Sequence, residues 1–151
     1  MIKIGILGDI GSGKSYVAKN FGYPIFNADH EVAKLYQRNK NVFNKLKNEL
    51  PKYIHSFPIK KKEICNAILA NKKKNLNKIV KIVHIEIREK MNTFLNKNKN
   101  KKIIILDIPL LLENKINKKK DILVYVQSRK SSILKRLKKK KKFQSKNVKK
   151  I

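Results

Sequence analysis

Gly8-Asp9-Ile10-Gly11-Ser12-Gly13-Lys14-Ser15 fit the pattern G-x-x-x-x-G-K-[ST], whose chemistry is to hold a chain of phosphates. Glycines at this spacing let backbone N–H groups turn inward around phosphate oxygens, and a helix opening there adds its positive end. In that chemistry Gly11, Ser12 and Gly13 form the cradle and Lys14 reaches the β- and γ-phosphates. Ser15 holds Mg²⁺, and Tyr16 follows as the next nucleotide-side residue. Two carboxylates stand at the ends of apolar runs. Asp107 closes Ile103-Ile104-Ile105-Leu106, where a carboxylate either holds Mg²⁺ through water or caps a helix opened by Pro109. Asp29 follows Tyr23-Pro24-Ile25-Phe26, at a strand end where ligands collect in open α/β sheets, and it also suits a helix N-cap. His84 lies on or beside an apolar stripe, so it is either a satisfied core histidine or a contact residue.

These side chains need elements to position them. Ile2, Ile4, Ile6 and Leu7 read as a buried strand ahead of the loop, and Val17, Ala18 and Phe21 recur at helical spacing after it. A second strand near 24–27 leads into a helix carrying Val32, Ala33, Leu35 and Tyr36. Residues 41–58 are mixed, broken by Pro51 and Pro58, and a helix with Ile64, Ala67, Ile68 and Leu69 enters near Lys60. Leu76, Ile79, Val80, Val83, Ile87, Met91, Phe94 and Leu95 form one stripe of a long amphipathic helix. The continuous apolar run 103–107 predicts a central parallel strand, and 121–126 predicts another. A short helix is expected from Pro109, and a further one over 128–141 with Ile133, Leu134 and Leu137 inward. The four strands are near 2–7, 24–27, 103–107 and 121–126.

The formal net charge of +29 suggests a nucleic-acid binder, but its make-up argues against a selected one. Of the 39 basic residues, 35 are Lys and 4 are Arg, beside 17 Asn and 21 Ile. Lys, Asn and Ile share A/T-rich codons, whereas a dedicated nucleic-acid surface uses Arg for bidentate contacts. The Lys residues are spread along the chain, and the dense run Lys138–Lys142 lies at its far end. The single cysteine, Cys65, excludes a disulfide framework and reads as a small core residue. No run is long and apolar enough to span a membrane.

Four segments together resemble the dephospho-CoA kinase family: Leu7–Ser15, Asn27-Ala28-Asp29, the helix around Ile82-Val83-His84, and Leu106-Asp107-Ile108-Pro109-Leu110-Leu111-Leu112-Glu113. Ile133-Leu134-Lys135-Arg136 is similar to the family's helix before its lid. Asp9 stands where the family usually has Gly, Asn27 where it usually has Asp, and Ile85 where His84 would be followed by Pro. Tyr16 replaces a common Thr, and Lys140 is the best match to a lid Arg. The family's later segment, with its last strand and helix, has no counterpart, so the chain is expected to be a truncated member with an incomplete lid at 138–151.

The resemblance implies one α/β domain over 1–151, a P-loop NTPase-type parallel sheet in the order 2-3-1-4, flanked by helices. Residues 28–100 would be a helical substrate-binding insertion. It implies ATP and Mg²⁺ as cofactors and dephospho-CoA as a small-molecule substrate, phosphorylated on its ribose 3′-hydroxyl in the last step of coenzyme A synthesis. Lys14 and Asp29 become the catalytic pair, with Asp29 as base or orienter of that hydroxyl. Ser15 and Asp107 become the metal set, and Asp29, His84, Glu113 and Arg136 the substrate set. A cytoplasmic monomer without a membrane or specific nucleic-acid partner is expected. Two alternatives stay open: another small-molecule P-loop kinase acting on a nucleoside or nucleotide, and a basic nucleic-acid-binding protein with a vestigial phosphate loop.

Overall fold

The computed structural model describes residues 1–108 and 121–138. Their elements run β1 (Ile2–Leu7), α1 (Lys14–Asn20), β2 (Ile25–Asn27), α2 (Ala28–Arg38), α3 (Lys40–Glu49), α4 (Lys61–Ala70), α5 (Lys72–Lys97), β3 (Ile103–Asp107), β4 (Ile122–Tyr125) and α6 (130–138). The helix expected from Pro109, with Glu113, lies outside the described residues, as does 139–151. The chain divides into two compact units, the first of residues 1–27 with 100–151 and the second of residues 28–99.

The first unit is built on a four-stranded sheet in the order β2-β3-β1-β4, with every pair parallel. This is the order that the resemblance implies. β3 sits centrally because it is apolar on both faces, with Ile104, Ile105 and Leu106 each at most 2% exposed. Side chains alternate along a strand, so Asp107 shares a face with Ile105 and Ile103, and Asn27 with Ile25. On that face Ala18 of α1 packs with Ile4, Ile6 and Ile105. Each fully buried Ile stabilises by roughly 2–3 kcal/mol, and here that burial fixes α1, and with it the loop before α1, against the strand ends. β4 borders the sheet on one side, and its Ile122, Leu123 and Tyr125 are exposed.

The second unit is all helical. Its core joins Leu35, Val42, Leu46, Leu50, Ile54, Ile59, Ile64, Ala67, Ile79 and Val83. α3 lies within the stretch read from sequence as mixed. Its start is set by Asn39, whose side chain accepts the Val42 N–H at 2.9 Å, and Val42 and Leu46 supply its buried i, i+4 pair. One asparagine divides α4 from α5: Asn71 is the C-cap of the first and the N-cap of the second, accepting the Lys74 N–H at 3.1 Å. Asn75, buried one turn on, donates to the Ala67 carbonyl at 2.7 Å. That carbonyl is among the last four of α4, which have no partner within their own helix.

Two expectations from the sequence do not hold, for Cys65 and Leu134, and one of the two alternatives for His84 falls away. Cys65 is exposed, because α4 buries Ile64 and Ala67 and a residue one step from Ile64 turns about 100° away. Leu134 is 57% exposed, so the inward face of α6 carries Ile133 and Leu137 without it. His84 is exposed and is not a core histidine, since the buried line of α5 runs through Asn75, Ile79 and Val83.

Candidate functional site

The chain leaves β1 at Leu7 and turns through residues 8–13 into α1. Gly8 has φ +141°, and a Cβ there would collide with the Val126 carbonyl and come within 2.9 Å of Ser12 Oγ. Only glycine allows the loop to pass that close to the end of β4. The Ser12 N–H donates to the Asp9 carbonyl at 3.1 Å and closes the turn. Lys14 folds back over it, its ammonium donating to the Gly8 carbonyl at 2.7 Å and the Asp9 carbonyl at 2.9 Å. An ammonium has three donors, so it is held at the loop with one hydrogen still to give.

At the strand ends Ser15 Oγ donates to Asp107 Oδ2 at 2.9 Å across 92 residues of sequence. Asn27 Nδ2 donates to the same oxygen at 2.6 Å, a consequence of the register that sets Asn27 opposite Asp107. Asp107 is 5% exposed. A carboxylate that buried needs donors, and these two hold it in place.

The residues fit a phosphate chain with a divalent cation. Among the described residues Ser12 Oγ is buried without a hydrogen-bond partner, which costs about 1–3 kcal/mol unless a ligand oxygen accepts from it. Ser15 and Asp107 offer hard oxygen donors to Mg²⁺. Among the described residues no group of three or more His, Cys, Asp or Glu could hold a metal alone. One carboxylate, one hydroxyl, phosphate oxygens and water is the way Mg²⁺ is commonly bound beside nucleotides.

Of the other residues singled out from sequence, Tyr16 is 74% exposed in the first turn of α1. Asp29 is exposed at the second position of α2 and so is not its cap. His84 is exposed on α5. Arg136, on α6, directs Nη1 to the Gly11 and Ser12 carbonyls of the loop at 3.1 and 2.9 Å. Two residues escaped the sequence reading. Asn27 was seen only as a departure from a motif, and Ser128, whose Oγ donates to the Ser12 carbonyl at 2.7 Å, carries no local signal.

A strand, a glycine loop and a helix beside a second strand ending in a carboxylate define a protein of the P-loop class. The family profile for dephospho-CoA kinase matches residues 2–151. A dephospho-CoA kinase of Wolbachia sp. subsp. Brugia malayi is 31% identical over 82% of this chain and 65% of its own length. One of Bartonella henselae is 33% identical over 83% of this chain and 66% of its own. The solved TT1252 of Thermus thermophilus superposes with a TM-score of 0.74 at 27% identity, over 90% of this chain and 70% of that one. Dephospho-CoA kinase from Campylobacter jejuni shares the fold, with a TM-score of 0.56 at 18% identity over 97% of this chain and 83% of that one. The chain belongs to the dephospho-CoA kinase family. It spans just under two thirds of the length of the Wolbachia and Bartonella relatives.

Proposed function

We propose that this chain works in the transfer of the γ-phosphoryl group of ATP to the ribose 3′-hydroxyl of dephospho-CoA. The observation that carries this is the Ser15–Asp107 pair at 2.9 Å beside a glycine loop, in a chain of this family. ATP supplies the phosphoryl group, and Mg²⁺ neutralises charge on its phosphates. The loop residues Gly11, Ser12 and Gly13 bind the phosphates, and Lys14 adds a cation already tethered to loop carbonyls. Ser15 and Asp107 would hold the metal, and Tyr16 is assigned to the nucleotide side in this reading. Asp29 takes the proton of the acceptor hydroxyl, a role suited to an exposed carboxylate that is not a helix cap. His84 and Glu113 belong to the substrate side in this reading, and the second unit, residues 28–99, is the acceptor-binding part. The same reading puts the work in the cytoplasm, on a monomer.

The test is ADP release by the purified chain with ATP and a panel of acceptors, with the product's phosphate located by phosphorus NMR. Dephospho-CoA should stimulate release most and gain phosphate at the 3′ position. Greater stimulation by a nucleoside or nucleotide would move the assignment to another small-molecule kinase. The charge of +29 favours one second reading, polyanion binding. Salt-sensitive binding of RNA without acceptor-stimulated ADP release would support that instead.

A further inference from the structure

Arg136, expected from the resemblance on the substrate side, bonds the phosphate loop itself. Its Nη1 lies 2.9 Å from the Ser12 carbonyl, 3.1 Å from the Gly11 carbonyl and 3.1 Å from Ser128 Oγ. Ser128 Oγ in turn donates to the Ser12 carbonyl at 2.7 Å. Ile133 and Leu137 flank Arg136 on one face of α6 and press on the loop at Gly11, where an added Cβ would meet them at 3.2 and 3.3 Å. Gly11 also has φ +84°, so both space and backbone require glycine there.

A trans peptide is planar, with its N–H opposite its C=O. Pinning the Gly11 carbonyl therefore directs the Ser12 N–H, which donates to Asp9. Pinning the Ser12 carbonyl turns the Gly13 N–H away from Arg136. Lys14 takes the Gly8 and Asp9 carbonyls, so cations and one hydroxyl hold the carbonyls of Gly8, Asp9, Gly11 and Ser12. Charge-assisted bonds of this kind are about twice as strong as neutral ones.

We infer that Arg136, assisted by Ser128, is a positioning residue that fixes the phosphate loop through its carbonyls and so presets the loop N–H groups for phosphate. Its functional consequence rests on the reading of residues 8–15 as a phosphate site; the fixing itself does not.

The test pairs amide exchange by NMR in the nucleotide-free chain with titration by inorganic pyrophosphate, comparing wild type with Arg136→Met, Arg136→Lys and Ser128→Ala. In Arg136→Met the amides of Ser12, Tyr16 and Val17 should exchange about tenfold faster relative to those of Ile4 and Ile105 in the sheet, and pyrophosphate should bind about tenfold more weakly. Arg136→Lys should recover part of both effects, and Ser128→Ala should show a smaller loosening in a fold it does not threaten. Loop exchange that keeps pace with the sheet in both Arg136→Met and Ser128→Ala overturns the inference. So does weaker pyrophosphate binding with unchanged loop exchange, which would make Arg136 a direct ligand contact. If wild type itself ignores pyrophosphate, the phosphate reading fails, while faster loop exchange in the variants still supports the fixing.

Discussion

Lys14 and Asp29 are placed so that substitution separates chemistry from folding. Among the described residues the Lys14 ammonium bonds only loop carbonyls, at 2.7 and 2.9 Å, and packs no core. Lys14→Ala should leave the melting temperature nearly unchanged and cut acceptor-stimulated ADP release by at least about a hundredfold, the usual scale for losing one preorganised charge. Comparable turnover by the variant would refute a phosphate role for Lys14. Asp29 poses a different question, because at the second position of α2 its charge also favours the helix start, by about 0.3–1 kcal/mol. Asn keeps the shape but accepts no proton. Asp29→Asn should lower kcat by about 10²–10⁴ with the KM for ATP little changed, and its melting temperature should fall only slightly. A kcat near that of wild type, with the same small loss of stability, would leave Asp29 as a helix-start residue. Asn27 shows why a site can exceed its motif. A carboxylate there would put two negative charges on one buried spot, whereas the amide supplies a donor to Asp107 at 2.6 Å.

At the scale of elements, patterns with a strong period were legible and those set by single side chains were not. The run of isoleucines in β3 and the stripe of α5 announce themselves, since burial on both faces or along one stripe demands them. α3 is hidden by Lys and Asn around only two buried positions, Val42 and Leu46, and its start depends on one hydrogen bond from the Val42 N–H to the Asn39 side chain. The loop was readable as a pattern. The Asn27–Asp107 bond and the Arg136 contacts were not, because they depend on strand register and on contacts more than 100 residues apart in sequence. Burial can also be tested by titration. Tyr36 of α2 lies against the helical core, and burial pushes its hydroxyl from 10.0 up to about 12. The folded state therefore binds this proton more tightly than the unfolded one, and the resulting stability is complete below pH 10 and is lost as pH rises from 10 to 12. Tyr36→Phe has no proton to lose, so its urea midpoint should fall less than that of wild type across this window while matching it closely at pH 8. Parallel midpoints for the two proteins up to pH 11.5 would show that Tyr36 ionises as freely folded as unfolded.

Across the whole molecule, charge is far out of balance: 39 Lys and Arg against 10 Asp and Glu. The ion pairs in the described residues are surface ones, such as Lys34–Glu31 at 2.7 Å and Lys78–Glu49 at 2.9 Å. The hydrogen bond from Lys78, then its charge, holds the Glu49 carboxyl below the usual carboxylate range, yet that carboxyl is open to solvent and its pair is screened. Surface pairs contribute about 0–1 kcal/mol each, and few acids are available to make them. Repulsion among the remaining cations acts over longer distances and opposes the compact state. Its range is about 30 Å at 0.01 M salt and about 8 Å at 0.15 M. Added salt therefore weakens both kinds of interaction, but with +29 the repulsive pairs greatly outnumber the attractive ones. The melting temperature should rise by several degrees as sodium chloride goes from about 0.01 to about 0.15 M, then level off as the screening length falls below the spacing of neighbouring lysines. Choline chloride should give the same curve, because screening depends on ionic strength and not on the cation. A melting temperature that falls over this range would mean that the few ion pairs outweigh the repulsion. A rise of similar size with sulfate at a few millimolar, where screening is still weak, would instead report an anion bound by the folded state. If Lys14→Ala removed that sulfate response and left the chloride curve unchanged, the phosphate loop would be its site, and the general field of the protein and its local anion site would be separated in one series of melts.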